Sequence, residues 1–356
     1  MASFRTSISS ALKITKMSFS TSTRATASTS SSSSSSNSPR HLLTIGDLSA
    51  SELNFLVNRA SQFRKIIKSN SLSTQVDKQT LLGHTVALIF SKRSTRTRVS
   101  SEAAINYLGG HPMFLGKDDI QLGVNESLYD TSRVISSMTS SIVARVGPHS
   151  DIAGLAAASS VPVINALCDT YHPLQAIADI LTIKEAFGPE LRGLKLAWVG
   201  DSNNVLNDLA IACAKTGINL SVATPDVYPV NQAVFDVVRQ AAAESGSTVQ
   251  VGHEPKVAVK DADVIVTDTW ISMGQESEKQ LRLKQFAGYQ VTTDLATSGG
   301  AKQDWKFMHC LPRKQEEVSD EVFYSDRSLV FDEAENRLYA MLAALDGFVV
   351  KKGKLE

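Results

Sequence analysis

A segment rich in arginine and hydroxyl side chains, SKRSTRTR at Ser91 to Arg98, is the strongest candidate for chemistry in this chain. It lies between TVALIF, an apolar and β-branched run that predicts a buried strand, and VSSEAAINYLG, whose apolar residues at four-residue spacing predict a helix. Ser94 or Thr95 is a natural N-cap for that helix. The segment is therefore predicted to surround the N-terminus of a helix at a strand–helix junction.

The charge of this junction is opposite to the charge that a helix N-terminus favours, because the macrodipole makes that end positive and acidic residues stabilise it. Four basic residues surround the first turn instead: Lys92, Arg93, Arg96 and Arg98. Together with free backbone N–H groups and the hydroxyls of Ser94, Thr95 and Thr97, they suit a bound phosphate or another dianion. A solvated basic loop is the alternative and the usual role of a charged run. The alternation of arginine with hydroxyl residues favours the anion site, which is not a P-loop because GxxxxGK is absent.

Polar residues follow two further predicted strands in the first half of the chain. Arg145 follows SIVA, and HPLQ, from His172 to Gln175, follows VINALCD and begins a helix with Pro173 at an N1-like position. Arg145 could instead form a buried structural ion pair, and a lone histidine is more often structural. Because His172 and Gln175 are one helical turn apart, we predict that they donate hydrogen bonds to a carbonyl oxygen and its amide.

The second half of the chain has polar residues in corresponding positions. Asn203 and Asn204 lie in GDSNN, which lacks the G-x-G-x-x-G spacing of a dinucleotide turn and suits a small polar molecule. Asp268 follows DVIVT and precedes the turn Ser272–Met273–Gly274. Cys310 ends KFMHC and precedes Leu-Pro, which predicts an extended or turned backbone. An inert buried thiol is the default for a cysteine, but a carboxylate at the end of another strand in this block favours a chemical role.

These positions require a framework in which several strands end together. Two successive blocks of alternating strands and helices, separated by AFGPELRG at residues 186–193, predict two α/β domains with parallel sheets flanked by helices. In such sheets ligands bind beyond the carboxyl ends of the strands. The predicted strands span residues 84–90, 111–115, 142–146, 161–167, 195–199, 219–223, 248–252, 263–267, 289–293 and 306–310. The pattern from HLLTIGDLSASELNFLVNRASQFRK onward is helical, with Asp47 or Ser49 as the start signal, and the further predicted helices span residues 95–108, 126–138, 173–187, 205–216, 230–244 and about 333–350.

Composition places the chain among soluble globular proteins. Of its 356 residues, 42% are hydrophobic and 20% are charged, and no apolar run approaches the ~18 residues that cross a bilayer. Three scattered cysteines are too few for a disulfide framework or a zinc site: Cys168, Cys213 and Cys310. We therefore expect reduced thiols in an intracellular compartment and no metal ion.

The first forty residues differ in composition from the rest of the chain. They contain sixteen serines and several basic residues, and the first acidic residue is Asp47. A serine-rich, basic and acid-free segment is typical of a mitochondrial or plastid presequence, which we assign to residues 1–37; a disordered tail is the alternative. Removing that segment leaves 32 basic and 36 acidic residues, a net charge of −4, which argues against nucleic acid as a partner.

The motifs STRTR, HPLQ, DTWISMGQE and HCLPR, in this order and spacing, resemble the ornithine carbamoyltransferase family. The resemblance extends from about residue 40 to the end of the chain, and SMG with HCLPR distinguishes it from aspartate carbamoyltransferases. It implies a carbamoyl phosphate domain at residues 38–185, joined by a C-terminal helix at about 325–356, and an ornithine domain at 186–324. It also implies an active-site cleft between these domains, a homotrimer, no cofactor and, with the presequence, the mitochondrial matrix.

The resemblance further implies roles for individual residues. Carbamoyl phosphate is expected to contact Ser94, Thr95, Arg96, Thr97, Gln121, Arg145, His172, Gln175, Cys310, Leu311 and Arg337. Within this set, Gln121 is expected to reach the phosphate of a neighbouring subunit. L-Ornithine is expected to contact Asn204, Asp268, Ser272 and Met273. The expected catalytic residues are Cys310, Asp268, Arg145 and His172.

The implied reaction transfers the carbamoyl group of carbamoyl phosphate to the side-chain amine of L-ornithine, giving L-citrulline and phosphate in arginine biosynthesis or a urea cycle. A neutral amine must attack, so a carboxylate and a thiol could accept or relay the proton of an ammonium group whose pKa is ~10.4. Negative charge on the carbonyl oxygen would face Arg145, His172 and Thr97. The alternatives are another amine acceptor (putrescine or an acylated ornithine) and a non-catalytic anion-binding relative. Neither nucleic acid nor a membrane is an expected partner.

Overall fold

Two parallel β-sheets form the framework of the protein in the computed structural model. The structure describes residues 38–69, 79–120, 125–271 and 276–356, without the side chain of residue 276. Residues Ser38–Glu356 form one compact unit that contains both sheets. Helices flank each sheet, so the predicted α/β class with parallel sheets is confirmed.

The first sheet contains four parallel strands in the order β2-β1-β3-β4. Its strands are β1 (Thr85–Phe90), β2 (His111–Gly116), β3 (Ser141–Arg145) and β4 (Val163–Leu167). The helices of this half are α1 (Ala50–Lys68), α2 (Arg96–Tyr107), α3 (Leu128–Met138), α4 (His149–Ala158) and α5 (Pro173–Phe187), and a short 3₁₀ helix (Ile45–Asp47) precedes them. In the β1–β3 register Phe90 lies opposite Arg145, so the SKRSTRTR segment leaves the sheet beside Arg145.

The second sheet contains five parallel strands in the order β7-β6-β5-β8-β9. Its strands are β5 (Lys195–Val199), β6 (Asn219–Ala223), β7 (Val249–Gly252), β8 (Val264–Thr267) and β9 (Lys306–His309). The helices are α6 (Asn204–Thr216), α7 (Gln232–Ser245), α8 (Pro255–Val259), α9 (Lys279–Gln285), α10 (Thr293–Gly299), α11 (Asp320–Phe323) and α12 (Val330–Ala344), with a 3₁₀ turn at Glu276–Glu278. Because Thr267 pairs with His309, the next residues along each strand, Asp268 and Cys310, meet at the same edge.

Helix α5 packs against β4 of the first sheet and against α6 of the second half. Its residues from Pro173 to Ile183 are all buried, because α1, α6 and α12 pack around it. Helix α12 follows the second sheet in sequence but packs against α1, α2 and α5. The polar side chains of α5, such as Gln175 and Asp179, must therefore find hydrogen-bond partners inside the protein.

Two predicted elements differ from those in the structure. The segment 289–293 contributes a single bridge, Val291 to Val318, instead of a strand. The reason is a helix cap, because the side chain of Thr292 accepts the N–H of Leu295 at 3.0 Å and α10 begins at Thr293. The C-terminal helix is also different: α12 begins at Val330, and a wider π-helical segment continues it over Leu345–Val350.

No helix of the described ranges has both the length and the apolar character that a membrane crossing needs. The three cysteines are free and buried, as their spacing predicted.

Candidate active site

The SKRSTRTR segment joins β1 to α2, and α2 begins at Arg96. Thr95 occupies the N-cap position without a capping hydrogen bond, whereas the hydroxyl of Ser94 accepts the N–H of Thr97 at 3.3 Å. Arg96 donates through Nη2 to the carbonyl oxygen of Leu311 in the HCLPR motif. The junction after the first sheet is thus in direct contact with the loop that follows β9 in the second sheet.

The basic residues of this segment do not all converge on the helix N-terminus, contrary to the prediction. Arg98 donates to Glu102 at 2.8 Å and stacks on Phe114, with 3.7 Å between the guanidinium carbon and the ring centre. Lys92 and Arg93 are exposed to solvent. Residues two positions apart on a helix face different directions, which is why the side chain of Arg98 diverges from that of its neighbour two residues earlier.

Arg145 ends β3 with a buried side chain. Its Nε has no hydrogen-bond partner among the residues that the structure describes. Burial, followed by the positive charge of Arg337, lowers the pKa of this guanidinium to about 10. Among the residues that the structure describes, no carboxylate pairs with Arg145, so the buried ion pair that the sequence left open is not found there.

His172, Gln175 and Arg337 meet where α5 packs against α12. Nη1 of Arg337 donates to Oε1 of Gln175 at 2.7 Å and lies 3.3 Å from Nε2 of His172. Burial, followed by the charge of Arg337, lowers the pKa of His172 well below its ordinary value, so the ring is neutral. Because arginine only donates, the hydrogen bonds assign Nε2 as the acceptor and place the ring hydrogen on Nδ1.

Four buried nitrogen atoms in this region have no hydrogen-bond partner in the described part of the chain: Arg145 Nε, His172 Nδ1, Arg337 Nε and Arg337 Nη2. A buried donor without a partner destabilises a fold by ~1–3 kcal/mol, and a charged one by more. Arg96 and Arg337 each lower the pKa of Arg145, and Arg96 lowers that of Arg337, so the three guanidinium groups repel one another. An anion with several acceptor oxygens would pair these donors and offset the repulsion.

Asp268 and Cys310 form the opposite side of the site, at the ends of β8 and β9. Burial raises the pKa of Asp268 to about 6, and its Oδ2 accepts a hydrogen bond from Nδ2 of Asn203 at 2.8 Å. Burial, followed by the charge of Asp268, raises the pKa of the Cys310 thiol well above its ordinary value. The thiol is therefore protonated at neutral pH, whereas the carboxyl of Asp268 is largely ionised.

His309 organises the turn that carries Cys310. Its Nδ1 accepts the N–H of Leu311 at 2.8 Å, so the hydrogen on Nε2 points to Oε2 of Glu317, 3.1 Å away. The Nδ1 atom has no hydrogen to share with Asp268, and their separation of 3.7 Å is not an ion pair. Leu311 has a left-handed backbone (φ 64°), which is the turned alternative of the two that the sequence predicted.

Three side chains on one face of α6 hold the loop before α5: Asn204, Asn207 and Asp208. Nδ2 of Asn204 donates to the carbonyl of Cys168 at 2.6 Å, and Asn207 donates to another loop carbonyl at 2.9 Å. Asp208 accepts the backbone N–H of His172 at 2.8 Å. In the described structure, the amide of Asn204 is thus used for a contact between the two halves, and its role toward ornithine stays a prediction.

Gln121, Ser272 and Met273 lie outside the described residues, so their predicted roles also stay predictions.

Sequence reasoning missed several buried polar residues around the site, namely Asp179, Asp208, Glu317 and Glu333. Asp179 lies four residues after Gln175 inside an otherwise apolar helix, and Glu333 lies four residues before Arg337. That spacing places each acid on the same helix face as a predicted site residue, and it is the signal that could have identified them.

Family comparisons match nearly the whole described region. Residues 40–185 match the description "Aspartate/ornithine carbamoyltransferase, carbamoyl-P binding domain", and residues 192–347 match "Aspartate/ornithine carbamoyltransferase, Asp/Orn binding domain". A protein of Coccidioides immitis (strain RS) named "Ornithine carbamoyltransferase, mitochondrial" is 62% identical over 333 residues, 90% of this chain and 95% of that protein.

Solved structures give the same result. A crystal structure of a mitochondrial ornithine carbamoyltransferase from Coccidioides immitis has a TM-score of 0.84 at 60% identity, covering 90% of this chain and 100% of that chain. The ornithine carbamoyltransferase from Pyrococcus furiosus has a TM-score of 0.83 at 45% identity, covering 88% of this chain and 98% of that one.

Proposed function

This chain belongs to the aspartate/ornithine carbamoyltransferase family. We propose that the guanidinium groups of Arg96, Arg145 and Arg337 bind the phosphate and carbamoyl groups of carbamoyl phosphate. The activity of the chain is carbamoyl transfer to ornithine, in the mitochondrial arginine biosynthesis pathway. The two matched regions support a carbamoyl phosphate domain at 38–185 and an ornithine domain at 186–324, with residues from about 325 returning to the first domain. Residues 1–37 are the proposed presequence.

The observation that carries this assignment is the set of unpaired buried donors on Arg145, His172 and Arg337. Carbamoyl phosphate offers a doubly negative phosphate and a carbonyl oxygen, which together can accept from all of them. The N-terminus of α2 adds further groups that suit an anion. These are the positive charge of Arg96, the backbone N–H groups, and the hydroxyls of Ser94, Thr95 and Thr97. Gln175 and Leu311 complete the proposed contacts.

The carboxylate of Asp268, on the side of the site proposed to bind ornithine, can accept the proton of the substrate ammonium group. With a pKa of about 6, Asp268 is ionised at neutral pH and can accept that proton, whereas the protonated thiol of Cys310 cannot. Cys310 therefore lines the reaction centre as a neutral group. Asn204, Ser272 and Met273 are the proposed contacts of the remaining part of ornithine.

The reaction then proceeds by attack of the neutral amine nitrogen on the carbamoyl carbon. The new C–N bond forms, the bond from carbon to the phosphate oxygen breaks, and negative charge passes through the carbonyl oxygen to the leaving phosphate. The nitrogen loses one proton as its bond to carbon forms, and the leaving phosphate takes that proton to become hydrogen phosphate. Arg145, the neutral His172 and Thr97 face that oxygen in the proposed geometry, and one such donor typically contributes ~10²–10³-fold in rate.

We further propose a homotrimer in which Gln121 of one subunit reaches the phosphate of its neighbour. Exposed apolar side chains on α3 support an assembly surface on the first domain: Tyr129 (63% exposed), Val134 (47%) and Met138 (70%).

A product assay tests the proposed function. The protein without residues 1–37 is incubated with carbamoyl phosphate and, separately, with L-ornithine, putrescine, acetylated ornithine and L-aspartate. Citrulline from L-ornithine with little product from the other amines is the expected result. Faster reaction with another amine would assign a different acceptor, and no product with any amine would indicate a non-catalytic relative.

A further inference from the structure

Two buried carboxyl groups that the proposed reaction does not use lie behind the carbamoyl phosphate residues. Asp179 on α5 and Glu333 on α12 are each 2% exposed, and their carboxyl groups lie side by side, because both accept a hydrogen bond from Nε2 of Gln175. Two ionised carboxyl groups at this separation would repel each other, and burial raises the pKa of both residues. The pair therefore shares a proton at neutral pH.

The pair fixes the orientation of the Gln175 amide. Nε2 of Gln175 donates to Oδ1 of Asp179 at 2.7 Å and to Oε1 of Glu333 at 2.9 Å, so both of its hydrogens are used. A flipped amide would place its oxygen against two carboxyl oxygens. The carbonyl oxygen of Gln175 consequently faces Arg337, whose Nη1 donates to it at 2.7 Å.

Glu333 also reaches the other side of the site. Its Oε2 accepts the backbone N–H of His309 at 2.9 Å, directly before Cys310. A single side chain on α12 thus contacts a carbamoyl phosphate residue through one oxygen and the end of β9 through the other.

We propose that Asp179 and Glu333 form a positioning pair for carbamoyl transfer, which holds the Gln175 amide toward Arg337 and the backbone beside Cys310 in one relative arrangement. This inference rests on the proposed function, since it assigns residues that act through the binding groups and do not touch substrate.

The ionisable neighbours of the pair are Arg337, Asp268, Cys310 and Cys213. Arg96 of α2 acts on Arg337, and Arg64 of α1 is paired with Glu185.

Two isosteric variants separate the geometry of the pair from its shared proton. Asp179→Asn keeps an acceptor for Gln175 and supplies an N–H to an ionised Glu333, so each hydrogen bond and the single negative charge remain. Glu333→Gln can still donate a hydrogen bond to Asp179. Its amide has only one acceptor oxygen, however, for the N–H groups of Gln175 and His309. Glu335→Gln is the matched control, because Glu335 lies on α12 but pairs with Lys68 at the surface.

The measurement is kcat and KM for both substrates from pH 6 to 10, together with Tm of each variant. Glu333→Gln is expected to lower kcat/KM for carbamoyl phosphate about 10-fold to 100-fold, because one buried N–H loses its acceptor. Asp179→Asn and Glu335→Gln are expected to change it less than about threefold at pH 7. Above neutral pH the kcat/KM of Asp179→Asn, divided by that of the wild type, should rise, since only the wild-type pair can lose its proton.

A purely structural role would lower Tm and leave kcat, KM and the pH ratio unchanged. The positioning role is overturned if Glu333→Gln has wild-type kinetics, or if the Asp179→Asn ratio is constant across this range. Should Glu333→Gln not fold, the pH ratio of Asp179→Asn decides alone. Absence of citrulline from both wild type and Glu335→Gln would instead contradict the proposed function, so the two failures are distinguishable.

Discussion

The two sides of helix α5 differ in whether their buried polar groups have hydrogen-bond partners. Toward α12, Arg145 and Arg337 have buried nitrogen atoms without partners in the described structure. Toward α6, the buried carboxylate of Asp208 accepts from the hydroxyl of Thr44 at 2.6 Å and from two backbone N–H groups at 2.8 Å. The unpaired donors of the first region lower stability, whereas both carboxyl oxygens of Asp208 in the second region have hydrogen-bond partners.

The contrast predicts that function and stability respond to different residues. Substitution of an unpaired cation should remove binding without a loss of stability, because a buried charge without a partner does not stabilise the fold. Substitution in the hydrogen-bonded network of Asp208 should lower stability. It should change kinetics mainly by shifting the position of His172.

The largest effect is expected for Arg145→Met. Removing this guanidinium deletes a positive charge and the donor that we propose for the carbamoyl oxygen, so kcat/KM should fall by ~10³-fold. The Tm should stay unchanged or rise, since the variant relieves repulsion from Arg337 and Arg96. Steady-state kinetics and calorimetric titration with carbamoyl phosphate measure the first quantity, and thermal unfolding measures the second. Unchanged affinity for carbamoyl phosphate would remove Arg145 from the site.

Asp268→Asn should have the next largest effect, with a loss of ~10²-fold in kcat and little change in carbamoyl phosphate affinity. The wild-type kcat should fall as the pH drops below about 6, because protonated Asp268 cannot accept the amine proton. The variant should lack that acid limb. Cys310→Ser is the companion measurement, and a pH profile that changes in Cys310→Ser but not in Asp268→Asn would reverse the two roles.

Asp208→Asn tests the satisfied region and should lower stability by ~1–3 kcal/mol, because the amide offers one acceptor fewer to the N–H of His172. Burial raises the pKa of Asp208 to about 7, so the folded protein binds this proton more tightly than the unfolded chain. Wild-type stability from this residue is therefore greatest at acid pH and is lost as the pH rises toward 7. The difference between wild type and variant in denaturant unfolding should shrink from pH 5 to pH 8. A difference that grows over this range would contradict the raised pKa.

Arg98→Ala should have the smallest effect and serves as the control for Arg145→Met. Arg98 is exposed, and it pairs with Glu102 on its own helix and not with the groups of the site. Its removal should change stability by less than ~0.5 kcal/mol and leave affinity for carbamoyl phosphate within about twofold. A large loss of affinity would restore the original prediction that all the arginines of this segment converge on one anion.

Much of the site was predictable because its residues directly follow strands. Ser94, Arg96, Arg145, His172 and Cys310 were located from apolar runs that end in polar residues, and parallel strands bring such ends together. Two of the places where the prediction failed have local causes that compete with the sequence pattern. Thr292 caps a helix where alternation indicated a strand, and the side chain of Arg98 faces away from that of Arg96.

The sequence by itself determined the fold class, the strand ends that carry chemistry and the family motifs, because periodicity and strand–helix order are properties of neighbouring residues. The tertiary structure alone decided which buried groups are paired and which are not. Gln175 and Glu333 are 158 positions apart, and Asp208 and His172 are 36 apart, so their contacts follow from the packing of α5 between α6 and α12. Protonation states depend on the same packing, since burial and neighbouring charge, not residue type, set the pKa of Asp268, His172 and the Asp179–Glu333 pair.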